Sequence, residues 1–315
     1  MVTNESFAQR GQAATTGGRG KRPGEVVDDA LRYVVTHEGG HCLGFMHNMS
    51  ASAVIPVDSL RSPTFTQQHG TTTSIMDYAR FNYVAQPGDR ERGVKLTPPR
   101  FGVYDEYAVK WLYTPVPEAR TPEEEYAITS RWITEASADP VYRYGKQQFG
   151  SIVDPKSQTE DLGDDAVAAS EYGIRNLRYI LGNLDRWYAD GDDDYVGRSG
   201  MYSSIVNQYV TYIGHVFANI GGIYLNEKME GDPVAAFVCV PREKQRRALQ
   251  FMLRELKQLD WLNNEALLKK ISILGTPRDA VREALIRAVV NAPAKQPLAI
   301  SAQLARAAAY TPAAC

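Results

Sequence analysis

Three cysteines in 315 residues exclude a disulfide framework. Histidine is also scarce, with five in the whole chain, and the net charge is only −2 at pH 7. So weak a charge argues against nucleic acid as the main partner. The basic cluster Arg19-Gly20-Lys21-Arg22 reads as a solvated loop. No apolar run is long and clean enough to span a membrane. The most apolar window, about Ser203 to Leu225, is interrupted by Asn207, Gln208, His215 and Asn219 and reads as a buried amphipathic helix. Strand-like alternation is rare, there is no internal repeat, and no signal peptide begins at Met1. A hydrophobic content of 43% with 23% charged residues still allows a sizeable core, in one large domain or two.

Three of the few histidines fall in one run, His37-Glu38-Gly39-Gly40-His41-Cys42-Leu43-Gly44-Phe45-Met46-His47. The pattern is H-E-x-x-H-x-x-G-x-x-H. Residues four apart share a helix face, so His37 and His41 can present two imidazoles to one metal ion. Glu38 neighbours the first ligand and can reach a metal-bound water without itself binding metal. Gly44 can leave the helix in a conformation other residues avoid, after which the chain turns and His47 supplies a third ligand. Three protein ligands leave one zinc position open, the arrangement of a catalytic site rather than a structural one. The competing reading, a buried amphipathic helix with two histidines on its polar side, accounts for neither Gly44 nor His47.

A second motif, Ser74-Ile75-Met76-Asp77-Tyr78, follows; Met76 lies 29 residues after His47. Together the two motifs resemble the metzincin metallopeptidases, in which a methionine turn lies beneath three zinc-bound histidines. The stretch from about Leu31 to Trp111 is similar to large bacterial zinc-dependent members of that clan. Its carriers include Arg32-Tyr33-Val34-Val35, Pro56 to Pro63, Met76 to Asp89 and Tyr104-Asp105. Later segments, Gln158 to Asp165 and Val240 to Gln245, extend the likeness to about residues 25–290. The resemblance implies that Met76 is a soft apolar floor under the site. It implies that the Tyr78 hydroxyl binds zinc at rest, or swings away to donate to the oxyanion. It also implies an exported or periplasmic parent.

The chain departs from that family at its start. A metzincin domain has an upper half built on a twisted sheet, whose edge strand pairs with substrate backbone. Here about 25 residues precede the active-site helix, and Thr15 to Gly24 carries no period-2 apolar run. The expected fold is therefore mainly α: the lower half of a metzincin-type zincin fold, with active-site helix, Met-turn and C-terminal helices but without the N-terminal sheet. The expected divisions are a flexible lead-in (1–25), a zinc-binding catalytic core (26–115), a helical region (116–292) and a tail (293–315). An N-terminal sheet domain of the same parent is the expected partner, and without its edge strand the metal site stands without a substrate platform.

Helices are predicted at Tyr104 to Tyr113, at about 122–136 behind the capping box Thr121-Pro122-Glu123-Glu124, and at about 165–188 capped by Asp164 or Asp165. Others are predicted near 200–228, 241–258 and 277–291. Two acidic stretches invite calcium. Asp190 to Tyr195 lacks the glycine and glutamate a calcium loop needs, Met201 standing at the twelfth position. Glu160 to Asp165 offers carboxylates for calcium, but helix capping explains them better. Cys42 reads as a small core residue, Cys239 as buried and Cys315 as a frayed end. His69 reads as an exposed loop residue and His215 as a packed one.

The leading expectation is a zinc endopeptidase hydrolysing peptide or protein substrates: zinc activates water, Glu38 moves its proton, Tyr78 supports the oxyanion and Met76 shapes the floor. Two alternatives remain open, a zinc-binding but inactive remnant and a helical protein-interaction domain.

Overall fold

In a computed structural model, residues 24–98, 101–150, 152–189, 191–271, 273 and 275–292 are described. Residues 1–23 of the lead-in with its basic cluster, and the tail with Cys315, lie outside them, and the last two residues of the expected lead-in open the first helix. The described chain is mainly α. It runs α1 (Gly24–Cys42), α2 (Pro63–His69), α3 (Val103–Tyr113), α4 (Pro122–Ala136), α5 (Ala166–Trp187), α6 (Val196–Phe217), β1 (Ile223–Leu225), β2 (Phe237–Cys239), α7 (Arg242–Lys257), α8 (Glu265–Leu268) and α9 (Pro277–Asn291). Among the described residues the sheet content is one antiparallel pair, β1 with β2, in the register Ile223↔Cys239 and Leu225↔Phe237. No described helix is long and apolar enough to cross a membrane.

The main core forms where α5 and α6 lie against each other and α7 and α9 close over them. Leu177, Leu184, Ile205, Tyr209 and Phe251 are fully buried there. Gly173 is required at the α5–α6 crossing: a Cβ would stand 2.5 Å from Cε2 of Tyr212. Ile55, Val57, Leu60, Tyr83 and Val84 reach into the same core. The chain that leads away from His47 is thereby tied to the helical mass.

Local chemistry sets most helix ends as the sequence predicts. Thr121 caps α4 by accepting from the Glu124 N–H at 3.2 Å; the Glu124 carboxylate returns to the N–H of Arg120, one residue outside the expected box, at 2.6 Å. Asp165 caps α5 through the N–H groups of Val167 and Ala168, both at 3.1 Å. Asp164 instead accepts from the Val57 N–H at 3.1 Å. The other acidic run is also used internally, Asp192 accepting from the N–H groups of Gly197 (2.7 Å) and Arg198 (3.1 Å).

Three expectations fail. The helix predicted over about 200–228 starts at Val196 and ends at Phe217. Asn219 bonds back to the His215 carbonyl at 3.1 Å, Gly221 takes φ +68°, and the β-branched and aromatic residues beyond it enter β1. His69 stands not in a loop but at the end of α2, a short helix capped by Ser62, though it is exposed as expected. Cys42 is exposed rather than core. It shares a face of α1 with Leu31, Val35 and Glu38, and that face is exposed throughout.

Candidate metal centre

The buried face of α1 is Tyr33, His37 and Gly40, one residue per turn. Each turn meets one residue of the Met-turn. The Tyr33 hydroxyl donates to the Asp77 carbonyl at 2.6 Å. His37 Nδ1 lies 2.8 Å from the Ile75 carbonyl. At Gly40 there is no room for a side chain, because a Cβ would collide with the Met76 sulfur. Met76 is thus buried directly against the helix between the first two histidines, where the sequence places a floor.

The helix then ends in a Schellman turn: Phe45 N–H bonds to Gly40 O at 3.0 Å, Gly44 N–H bonds to His41 O at 3.0 Å, and Gly44 takes φ +86°. The chain leaves the helix at Gly44. The turn also serves the second histidine, since its Phe45 carbonyl lies 2.9 Å from His41 Nδ1. His47 follows in irregular chain, and its Nδ1 lies 2.8 Å from Oε1 of Gln147, 100 residues away.

All three Nδ1 atoms thus face oxygen acceptors, which requires an N–H at each and leaves each Nε2 with a free lone pair. The Nε2 atoms converge. His41 and His47 are 3.0 Å apart there, and His47 and His37 3.2 Å. Three lone pairs aimed at one another repel unless a cation lies among them. Zn–N bonds of about 2.1 Å in a tetrahedron would space the nitrogens by about 3.4 Å, so the donor set fits zinc in number, type and spacing. Among the described residues this is the only group of three histidine, cysteine or acidic side chains with metal spacing, and no calcium cluster stands beside it. Burial holds the His37 imidazole below its ordinary pKa and favours the neutral, ligating form.

Glu38 is exposed, and its charge acts on the His37 ring. The half-buried Tyr78 ring stacks on His37 with centroids 5.4 Å apart and tilts against His47 at 4.6 Å.

The Met-turn has its own anchor. Asp105, fully buried at the start of α3, accepts from the Ser74 hydroxyl (2.6 Å), the Ile75 N–H (2.7 Å) and the Gly102 N–H (2.7 Å). Beneath the Schellman turn and Met76 lies a cavity of about 430 Å³ walled by Phe45, Met46, Tyr104, Tyr107 and Trp111. Sequence reasoning missed the tasks of Asp105 and Gln147. An acidic residue in a first helical turn reads as dipole compensation, and Gln147 lies in a stretch with no local motif.

No curated protein and no solved structure matches this chain. A family model described as Met-zincin matches residues 19–311. The match spans nearly the whole chain, and the chain belongs to the Met-zincin family.

Proposed function

We propose that this chain carries the catalytic centre of a zinc-dependent endopeptidase, with His37, His41 and His47 as ligands and residues 26–115 as the catalytic core on a helical support formed by 116–292. The observation that carries the reading is the convergence of three Nε2 atoms whose Nδ1 partners are all oxygen acceptors. A bound zinc ion supplies Lewis acidity, lowering the pKa of a coordinated water towards 7 and polarising the scissile carbonyl. Glu38, exposed beside His37, takes a proton from the attacking water and delivers it to the leaving amine. Tyr78, packed on two of the histidines, donates a hydrogen bond from its hydroxyl to the developing oxyanion and keeps its proton. Met76 keeps the floor apolar and dry.

A second reading, zinc binding without turnover, draws on one observation. Leu31 and Val35 on α1 are 59% and 70% exposed, on the face that a metzincin sheet would cover. Metal analysis after dialysis should give close to one zinc per chain, and His41→Ala should lower it sharply; unchanged zinc in that variant sinks the ligand assignment. In protein with phenanthroline-sensitive peptidase activity, Glu38→Ala should keep zinc and lose turnover by about 10²-fold or more. Zinc binding without such activity at any substrate tried would favour the second reading.

A further inference from the structure

We propose that Gln147 is a positioning residue for the third ligand: its side-chain oxygen sets the tautomer and direction of the His47 ring, and through them the affinity of the site for zinc. The proposal rests on the zinc reading above.

The three histidines are held by unequal means. His37 and His41 find main-chain carbonyls, those of Ile75 and Phe45, and both sit on a helix that already directs them. His47 has neither advantage. It stands past the helix end in irregular chain, and its acceptor is a side chain. A carboxamide oxygen at 2.8 Å from Nδ1 demands a proton there and leaves the Nε2 lone pair for metal; without the acceptor the other tautomer competes.

Gln147 is itself held in place. Asn48, next to His47, accepts from the Gly145 N–H at 2.8 Å and donates to the Arg143 carbonyl at 3.3 Å. The Met49 N–H bonds to the Gly145 carbonyl at 2.8 Å. Gly145 packs so closely that a Cβ would stand 2.6 Å from Oγ of Ser157. Arg143 forks onto both oxygens of Asp232 at 3.0 and 3.1 Å. The next residue, Gln148, turns its amide to the 153–157 turn, accepting from the Val153 and Asp154 N–H groups at 2.8 and 2.9 Å. The segment is therefore fixed from both sides, and the Gln147 amide reaches His47 from a rigid support.

The test is zinc affinity, read by competition with a chromophoric chelator, together with the visible spectrum of the cobalt-substituted protein and the thermal melt of the metal-free forms. Gln147→Met keeps the length and removes the acceptor; it should weaken zinc by about 10- to 100-fold and shift the cobalt spectrum, while the metal-free melt falls by no more than the few degrees of one lost hydrogen bond. Gln147→Glu restores an acceptor and should hold wild-type affinity or exceed it. Should the Met variant not fold, Gln147→Leu replaces it. Wild-type affinity in the acceptor-free variant overturns the proposal, and so does a Glu variant as weak as the Met one, since shape and not the acceptor would then matter. If the wild-type chain binds no zinc, the zinc reading falls with it; if wild type binds and the variants match it, this proposal alone falls.

Discussion

The surroundings of the histidines and the helical mass behind them hold together by different means. In the helical mass, α5, α6, α7 and α9 share a broad apolar core with large side chains fully buried. Around the site the buried apolar cluster among the described residues is small, Tyr33, Phe45, Ile75 and Met76 with Ala108 and Val109 packed against it. What organises that region is a set of directional bonds: Tyr33 to Asp77, His37 to Ile75, Asp105 to Ser74, Ile75 and Gly102, and Asn48 to Gly145. Apolar packing supplies most of the folding energy but tolerates repacking. Hydrogen bonds contribute less net energy, about 1 kcal/mol each, yet fix atoms to the few tenths of an ångström a metal site needs. One region supplies stability and the other supplies geometry.

Substitutions that separate the two test this division. Phe251→Ala, at a fully buried position in the helical core, should cost about 3–5 kcal/mol in urea unfolding. Zinc affinity of the molecules that remain folded should stay at the wild-type value. A parallel loss of affinity would show that the two regions are one unit. Asp105→Ala should lose affinity together with stability. It strands three donors that now share one carboxylate, costs about 2–3 kcal/mol, and loosens the turn that carries Ile75 and Met76, so zinc affinity should fall. Normal zinc affinity in a destabilised Asp105 variant would assign Asp105 to stability alone.

The next effect depends on pH. Asp77 is fully buried, and burial pushes its carboxyl up to about 7, against the pull of the Ser52 N–H at 2.7 Å. A raised folded value means the native state holds a proton that the unfolded chain releases near 3.8. The Asp77 contribution is therefore fully present at acid pH and is lost as pH rises from about 4 to about 7. His215, held at about 4 by burial against an ordinary 6.5, slopes the other way over that range. The readout is thus the difference between proteins. Asp77→Asn keeps an acceptor for Ser52 and cannot ionise, so it should gain on wild type steadily between pH 4 and 7 in a series of urea melts. A constant difference across that range sinks the assignment.

The same division explains what the sequence made legible. Apolar periodicity and capping residues announced α4, α5, α7 and α9 nearly to the residue, because packing and caps leave local traces. The grouping of His37, His41 and His47, the turn at Gly44 and the burial of Met76 against the helix were legible because the motif spacing places them. The bonds that orient them were not. Gln147 is 100 residues from His47, Asp105 is 31 from Ser74, and nothing local marks either. The hairpin was missed because Ile223 to Leu225 continues the apolar run of α6, and only the Asn219 to Gly222 turn separates them.

The smallest predicted effect lies where neither kind of support operates. One face of α1 presents Tyr33, His37 and Gly40 to the Met-turn, and the opposite face leaves Leu31 and Val35 exposed. Replacing an exposed apolar residue by a polar one removes no buried contact, so Leu31→Ser with Val35→Ser should change unfolding free energy by no more than about 0.5 kcal/mol. Zinc affinity should hold as well, because no bond to the histidines runs through that face. What should fall is hydrophobic-dye binding and self-association, which respond to a contiguous apolar patch. A loss of more than about 1.5 kcal/mol would mean that something in the chain covers this face in solution, since burial of two such side chains is worth that much or more. The contrast between a bonded and an unbonded face of α1 would then have to be given up.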